Sequence, residues 1–234
     1  MKPIIIKLMG ILLILASVVL LLFSLEDTIK VKYYEGQQEE IIKQLKEQVV
    51  DSKPKLDEGD DTEKLDEPAK LVRDNQVYPI KETILDRGNG PAIGTISIPS
   101  VGINLPILKG VGETNLYTGA GTNKENQVMG QGNYTLASHY IYDGKSLFSP
   151  LRNLREGDVI YITDFDKVHK YVYTTVYEHQ PEDVYVLDDD GSNKLTMYTC
   201  TNDWLRREVY QADYIGYYNY HELTDSQKQE FQIS

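Results

Sequence analysis

The chain has 234 residues, 41% of them hydrophobic, and a formal charge of −12 at pH 7. That length holds one domain of ordinary size plus appendages, and the apolar content suffices for a core. The acidity lacks the electrostatic footprint of a nucleic-acid binder, so no nucleic-acid partner is expected.

Leu8 to Leu25 is an uncharged, strongly apolar run of eighteen residues. As a helix it would rise about 27 Å, close to the roughly 30 Å hydrocarbon core of a bilayer. The run is longer than an ordinary signal-peptide core, and no small-x-small cleavage site precedes Glu26. A retained transmembrane signal anchor over 8–25 is therefore expected rather than a cleaved leader. Lys2 and Lys7 stand before the run, with Glu26 and Asp27 directly after it. This asymmetry sets residues 1–7 in the cytoplasm and the remainder outside the cell, as a single-pass membrane protein.

Residues 26–90 read as an extracellular helical and acidic linker. In Tyr33 to Val50, Ile41, Ile42, Leu45, Val49 and Val50 form a narrow stripe amid Glu, Gln and Lys. The stripe fits a short juxtamembrane helix, and the surrounding polarity equally fits a plain spacer. Seven carboxylates fall between Asp57 and Glu67, a composition that stays solvated. Leu71 to Leu85 is more apolar, an adaptor helix or strand against the domain. Gly88-Asn89-Gly90-Pro91 marks the domain boundary.

After Pro91 the periodicity changes to that of strands. Ile93–Ile98 alternates, Pro99 interrupts, and Ile103–Leu108 resumes. Further strands are expected at Asn133–Ser138, Asp158–Thr163, Lys170–Glu178, Leu195–Cys200 and Glu208–Tyr218, with helical turns at Glu113–Tyr117 and Phe148–Arg152. Short strands at close spacing, broken by Gly, Asn, Asp and Pro, indicate a mainly β barrel or sandwich over 91–220. The eighteen tyrosines suit half-buried strand positions. Residues 221–234 read as a polar tail.

Cys200 is the only cysteine, so an exported domain carrying it has no internal disulfide and a free thiol to explain. It ends its strand just before the turn residues Asn202 and Asp203. Arg206-Arg207 open the next strand, which sets a cation across the turn from the thiol. His169 and His179 flank the long strand and His221 lies in the tail, all read as surface positions. His139 instead ends the apolar strand Tyr134–Ser138, as Cys200 ends its own. Two strand tips at one rim of a small barrel form a nucleophile and base pair.

These residues carry a family resemblance. Gly132-Asn133-Tyr134-Thr135-Leu136-Ala137-Ser138-His139 resembles the histidine motif of sortases, and Thr196-Met197-Tyr198-Thr199-Cys200 their Thr-Leu-x-Thr-Cys signature, with Met for Leu. The order His, Cys, Arg behind an amino-terminal anchor is similar to class A sortases, and the match runs from about Ile93 to Tyr218. The resemblance implies an eight-stranded barrel and a cysteine transpeptidase of the Gram-positive cell surface. Such an enzyme cleaves an LPxTG sorting signal of surface proteins between Thr and Gly through a thioester. It passes the acyl group to a peptidoglycan amine, a lipid II-type acceptor.

The resemblance makes Cys200, His139 and one arginine catalytic. Arg207 fits the register of the strand after the turn, and side-chain alternation then turns Arg206 to solvent. Glu208 departs from the family, where an apolar or basic residue is common. The resemblance also assigns substrate contacts to Thr199, to Ala137 as a floor, and to Pro181, Val184, Val186 and Leu187 as a wall for the Leu-Pro portion. Asp188-Asp189-Asp190 invites a calcium reading. The earlier acidic set of the calcium-activated branch is replaced by Lys124, Glu125, Asn126 and Gln127, so no metal and no cofactor is expected. Two alternatives stand beside this reading. A pilus-polymerising sortase would add a lid and a second membrane segment, and a non-catalytic tethered binding module would not need Cys, His and Arg at one rim.

Overall fold

The computed structural model describes residues 2–51, 90–124 and 126–233. The acidic block, the Leu71–Leu85 segment and Gly88-Asn89 lie outside the described residues.

β1 (Ala92–Ile98) and β2 (Ile103–Leu108) pair antiparallel around a 3-10 turn over Pro99–Val101. Pro99 suits the first turn because its fixed φ is already helical, and Gly102 ends the turn at φ 72°. A short helix, α2 (Glu113–Thr118), leads into β3 (Ala120–Thr122) and β4 (Asn133–Ala137). Then follow β5 (Val159–Thr163), β6 (Lys167–His179), β7 (Lys194–Cys200) and β8 (Arg207–Asn219). The eight strands close into a barrel in the order β1-β2-β3-β4-β7-β8-β6-β5, the closed architecture expected from the resemblance. β3 escapes a reading by periodicity because it has three residues, one of them Gly121.

β4 and β7 run parallel, and every residue of β4 is buried. Both of their faces are covered, as parallel pairs require. Inward, Tyr134, Leu136, Leu195 and Met197 join the barrel core with Ile96, Ile107, Ile160, Tyr171 and Tyr210. Outward, Ala137 and Tyr198 pack with Val111, Leu116, Val186, Leu187 and Val209 in a second cluster. A bulge in β6 between Tyr173 and Thr175 shifts the pairing by one. Tyr173 therefore faces the core, while Tyr177 turns to the outer cluster.

Asn133 ties this outer layer together. Its amide donates to the carbonyls of Val186 and Asp188, at 3.0 and 3.1 Å. Its Oδ1 accepts from Thr196 Oγ1 at 2.6 Å. Gly132 precedes it at φ 56°, where any other residue is strained, and a Cβ there would meet Asp189 Oδ1 at 2.7 Å and displace that carboxylate.

Two differences from the sequence reading have clear causes. Residues 221–234 are not a free polar tail: Thr224 and Gln227 form a capping box that starts α3 (Asp225–Glu230). Leu223, Phe231 and Ile233 then bury against Tyr161 and Val168, with the Phe231 and Tyr161 rings stacked at 4.1 Å. His169 is not a surface residue but is 7% exposed, its Nδ1 lying 3.2 Å from the Tyr214 hydroxyl.

α1 (Lys2–Asp51) is one continuous helix where an anchor and a separate juxtamembrane helix were expected. Among the described residues no helix is long and apolar enough to cross a membrane. From Met9 to Leu22 the side chains are uncharged and, Gly10 apart, exposed.

Replacing Asn133 with Ala removes three hydrogen bonds and leaves buried partners unsatisfied. We expect a loss of roughly 2–4 kcal/mol, read as a lowered denaturant midpoint with an unchanged m-value.

Candidate active site

The outer face of the sheet carries a row of side chains across four strands. Ala137 on β4 lies opposite Tyr198 on β7, Tyr198 opposite Val209 on β8, and Val209 opposite Tyr177 on β6. Side chains two residues apart share a face, so the next row follows from the pairing alone. Cys200 lies opposite Arg207, and Arg207 opposite His179. The β4–β7 pairing continues past Ala137, since Ser138 N donates to the Tyr198 carbonyl at 3.4 Å. His139 thus falls level with Cys200. Cys200 and Arg207 are thus paired neighbours across β7 and β8, and His139 follows β4 at the level of Cys200, at the edge of the apolar cluster.

Tyr198 anchors that cluster, its hydroxyl held by the buried Asn123 amide. Ser138, next to His139, takes the opposite direction and donates to the Gly119 carbonyl at 2.6 Å. It is structural. The imidazole of His139 packs on the ring of Tyr117 from α2, centroids 4.2 Å apart. Its carbonyl accepts from Phe148 N at 3.2 Å.

The two arginines part as strand alternation requires. Arg207 is 7% exposed, with one terminal nitrogen donating to the Arg206 carbonyl at 3.1 Å. Arg206 is exposed and pairs with Glu178 at 3.0 Å. Glu208, the departure from the family, has a partner of its own. Its carboxylate accepts from Arg152 Nε at 2.9 Å and from the Tyr210 hydroxyl at 2.8 Å. Arg152 also donates to the side chain of Asn202 and lies 3.9 Å over the Tyr140 ring. This set holds the β7–β8 turn against the segment that follows His139. The turn carries Trp204 at φ 63°, whose indole donates to the Tyr142 hydroxyl at 2.7 Å.

Cys200 is half-buried. Burial pushes its thiol above the ordinary cysteine pKa, and the Arg207 guanidinium pulls it partway back. Desolvation disfavours the charged form, and the adjacent cation is the feature that favours it. Thr199 takes the opposite face with Leu195 and Met197. It is 2% exposed, and its hydroxyl has no partner among the described residues.

The segment between β6 and β7 folds into a 3-10 turn at Val184–Leu187. Val186 and Leu187 are buried in the outer cluster with Ala137, and Val184 packs at its margin. Pro181 is half-buried, and Tyr185 is exposed. The surface this segment offers to a ligand therefore comes from Pro181, Val184 and Tyr185, while Val186 and Leu187 fasten it to the sheet. His179, read from sequence as a surface residue, is half-buried and fastens the other side. Its Nδ1 lies 3.4 Å from Asp183 Oδ2 and 3.2 Å from the Tyr185 hydroxyl. The Asp183 carboxylate also accepts from Gln180 N at 3.1 Å. The sequence signal for this role is the four-residue spacing of His179 and Asp183 around Pro181.

The triple-aspartate segment is engaged by cations of the chain. Lys124 Nζ lies 3.1 Å from Asp189 Oδ1, which also accepts from Asn133 N at 2.6 Å. Lys194 lies 2.6 Å from Asp190 and, with Ser192, holds that carboxyl well below the usual range. Among the described residues no group of three or more His, Cys, Asp or Glu is disposed to hold a metal ion.

The chain is similar to known proteins. The family model described as Sortase domain matches residues 96–217. Sortase A of Streptococcus agalactiae serotype III (strain NEM316) is 51% identical over 120 residues, covering 49% of this chain and 49% of that protein. Sortase A of Bacillus anthracis is 44% identical over 126 residues, covering 53% and 60%. The solved structure of Listeria monocytogenes sortase A superposes with a TM-score of 0.57 at 32% identity, covering 61% of this chain and 98% of that one. The chain thus spans about half the length of the first relative and 60% of the second. With the motif row, the barrel order and the family match in agreement, the chain belongs to the sortase family and sides with its class A members.

Proposed function

We propose that the chain is a membrane-anchored cysteine transpeptidase, cleaving an LPxTG-type signal between Thr and Gly and joining the threonyl carbonyl to a peptidoglycan amine. The observation that carries this reading is the pairing of Cys200 with Arg207 across β7 and β8, with His139 following β4, the neighbour of β7. The Cys200 thiolate attacks the threonyl carbonyl, and Arg207, always charged, donates hydrogen bonds to the oxyanion. Collapse to the thioester breaks the Thr–Gly bond as protonated His139 gives its proton to the leaving glycine amine. The acceptor amine then attacks the thioester, its proton passes to His139, and the thiolate leaves. The surface of Pro181, Val184 and Tyr185 suits the Leu-Pro portion of the signal, with Thr199 behind the nucleophile.

The anchor rests on the uncharged run Leu8–Leu25 and on the exposure of its described apolar side chains from Met9 to Leu22. Such a stripe has a favourable environment only in lipid or against a partner. It sets the barrel outside the cell, where LPxTG-bearing surface proteins and a lipid II-type acceptor are met. Calcium is not required, because Lys124 supplies the positive charge at Asp189 that a cation would otherwise bring.

The test is mass spectrometry of the chain with an LPxTG peptide and a panel of amines. Wild type forms a Cys200 thioester that amines resolve, and Cys200→Ala and His139→Ala form no product. A wild type that never acylates overturns the assignment. Arg207→Ala lowers kcat by about 10²–10³-fold. It also removes the cation that lowers the thiol pKa, so thiol labelling must move to higher pH; labelling at an unchanged or lower pH contradicts the role given to Arg207. Turnover is insensitive to EDTA and to added calcium. Lys124→Ala reduces kcat/KM by about three- to tenfold through loosening of the segment at Asp189. Activation by calcium in the wild type would refute the role of Lys124.

A further inference from the structure

We propose that Tyr117 is a positioning residue for His139, and that α1 holds it in place, so that the helix bearing the anchor forms part of the catalytic apparatus. This rests on the transpeptidase reading for its consequence in turnover, but the geometry behind it is separate from the Cys–His–Arg row.

The contacts form an unbroken series. The Tyr117 ring packs on the His139 imidazole with centroids 4.2 Å apart and planes at 46°. Tyr34 of α1 stacks on Tyr117, centroids 6.0 Å apart and planes at 17°. Lys30 of α1, one turn earlier, places Nζ 5.3 Å from the centre of the Tyr117 ring. The same ammonium lies 3.3 Å from Glu113, the first residue of the helix that carries Tyr117. Glu26 and then Glu113 raise the Lys30 pKa, so the ammonium stays charged across the working range. Glu35 of α1 also comes within 3.3 Å of Ser146 Oγ, in the segment after His139. Lys30 and Tyr34 share a helix face by their spacing of four residues.

α2 explains why help from outside is needed. It has six residues, too few for a helix to be stable by itself, and it has no side-chain cap at its N-terminus. Its buried face contributes Leu116 to the outer cluster and Tyr117 to the barrel core. Lys30 against Glu113 and Tyr34 against Tyr117 fix the remaining freedom. An imidazole that must face first a leaving amine and then an entering one depends on a fixed ring plane, since small displacements of a reacting group cost rate steeply. A tilted aromatic wall supplies that plane.

The experiment uses the full chain in lipid vesicles, with an LPxTG peptide and an amine, alongside NMR titration of the His139 ring. Tyr117→Ala lowers kcat by about tenfold with KM changed less than about twofold, and Tyr117→Phe retains wild-type values. Tyr34→Ala, on a helix outside the eight strands, lowers kcat by about threefold with an unchanged denaturant midpoint of the barrel. Both alanine variants move the His139 titration midpoint, and Tyr117→Phe does not. Unchanged kcat and an unchanged His139 titration in Tyr34→Ala overturn the proposal, as does a rise in turnover, which would make α1 an obstruction. If wild type fails to acylate, the transpeptidase reading fails by itself, and the His139 titration still decides whether Tyr34 and Tyr117 position the ring.

Discussion

The site depends on strand register. β7 sits between a parallel neighbour, β4, and an antiparallel one, β8, and the three must agree to within a single residue. A slip of one in β8 would turn Arg207 away from the thiol and bring Arg206 or Glu208 into its row, because successive side chains alternate faces. The register is held at both ends. Asn133 and Thr196 join β4 to β7 far from the thiol, while Arg152, Glu208 and Asn202 tie the start of β8 and its preceding turn to the chain after His139. Between these points the apolar row Ala137–Tyr198–Val209–Tyr177 excludes water. The chemistry occupies the first row beyond it, where the cover ends and the thiol becomes half-exposed.

That position sets opposing electrostatic demands. Partial burial keeps Cys200 in its neutral form and Arg207 favours the thiolate, with burial the larger influence. In the proposed mechanism the guanidinium that favours the thiolate also faces the oxyanion formed when it attacks. One cation acts at both stages because it stands directly across the β7–β8 pairing from the sulfur. A lysine there would keep the charge but lose the planar fork of donors.

The sequence made the barrel strands and the site visible wherever the signal was local. Cys200 ends β7 and Arg207 begins β8, both on strongly periodic strands, while His139 lies two residues past the end of β4 and is marked by the family motif instead. Where the signal was not local, reading failed for identifiable reasons. Polar residues surround Leu223, Phe231 and Ile233, and only the capping box at Thr224 brings those three side chains together against Tyr161. His169 sits beside lysines in sequence yet is covered by Tyr214, forty-five residues away. Val186 and Leu187 look like ligand-facing residues of a loop, but the segment turns them inward to close the outer cluster. The joining of the two amino-terminal segments into one helix depends on continuity across Glu26–Lys32, a stretch with no apolar pattern to announce it.

Continuity of α1 gives the active site a fixed height. With Leu8–Leu25 in the bilayer, Lys30 and Tyr34 stand about 8 and 14 Å beyond the last apolar residue at 1.5 Å per residue. These are the residues that meet α2, so the proposed anchor holds the His139 side of the site near the lipid headgroups rather than out in the wall. A flexible tether would let the barrel sample a large volume, and encounter with a membrane-bound acceptor would become rarer as that volume grew. On the proposed anchoring, a helix docked on the barrel shortens that search. The ion pair between Lys30 and Glu113 is the weakest part of this arrangement, since it is largely exposed and screened by salt. Tyr34 stacked on Tyr117 is not weakened in that way, and it is the contact through which the anchor bears on the imidazole.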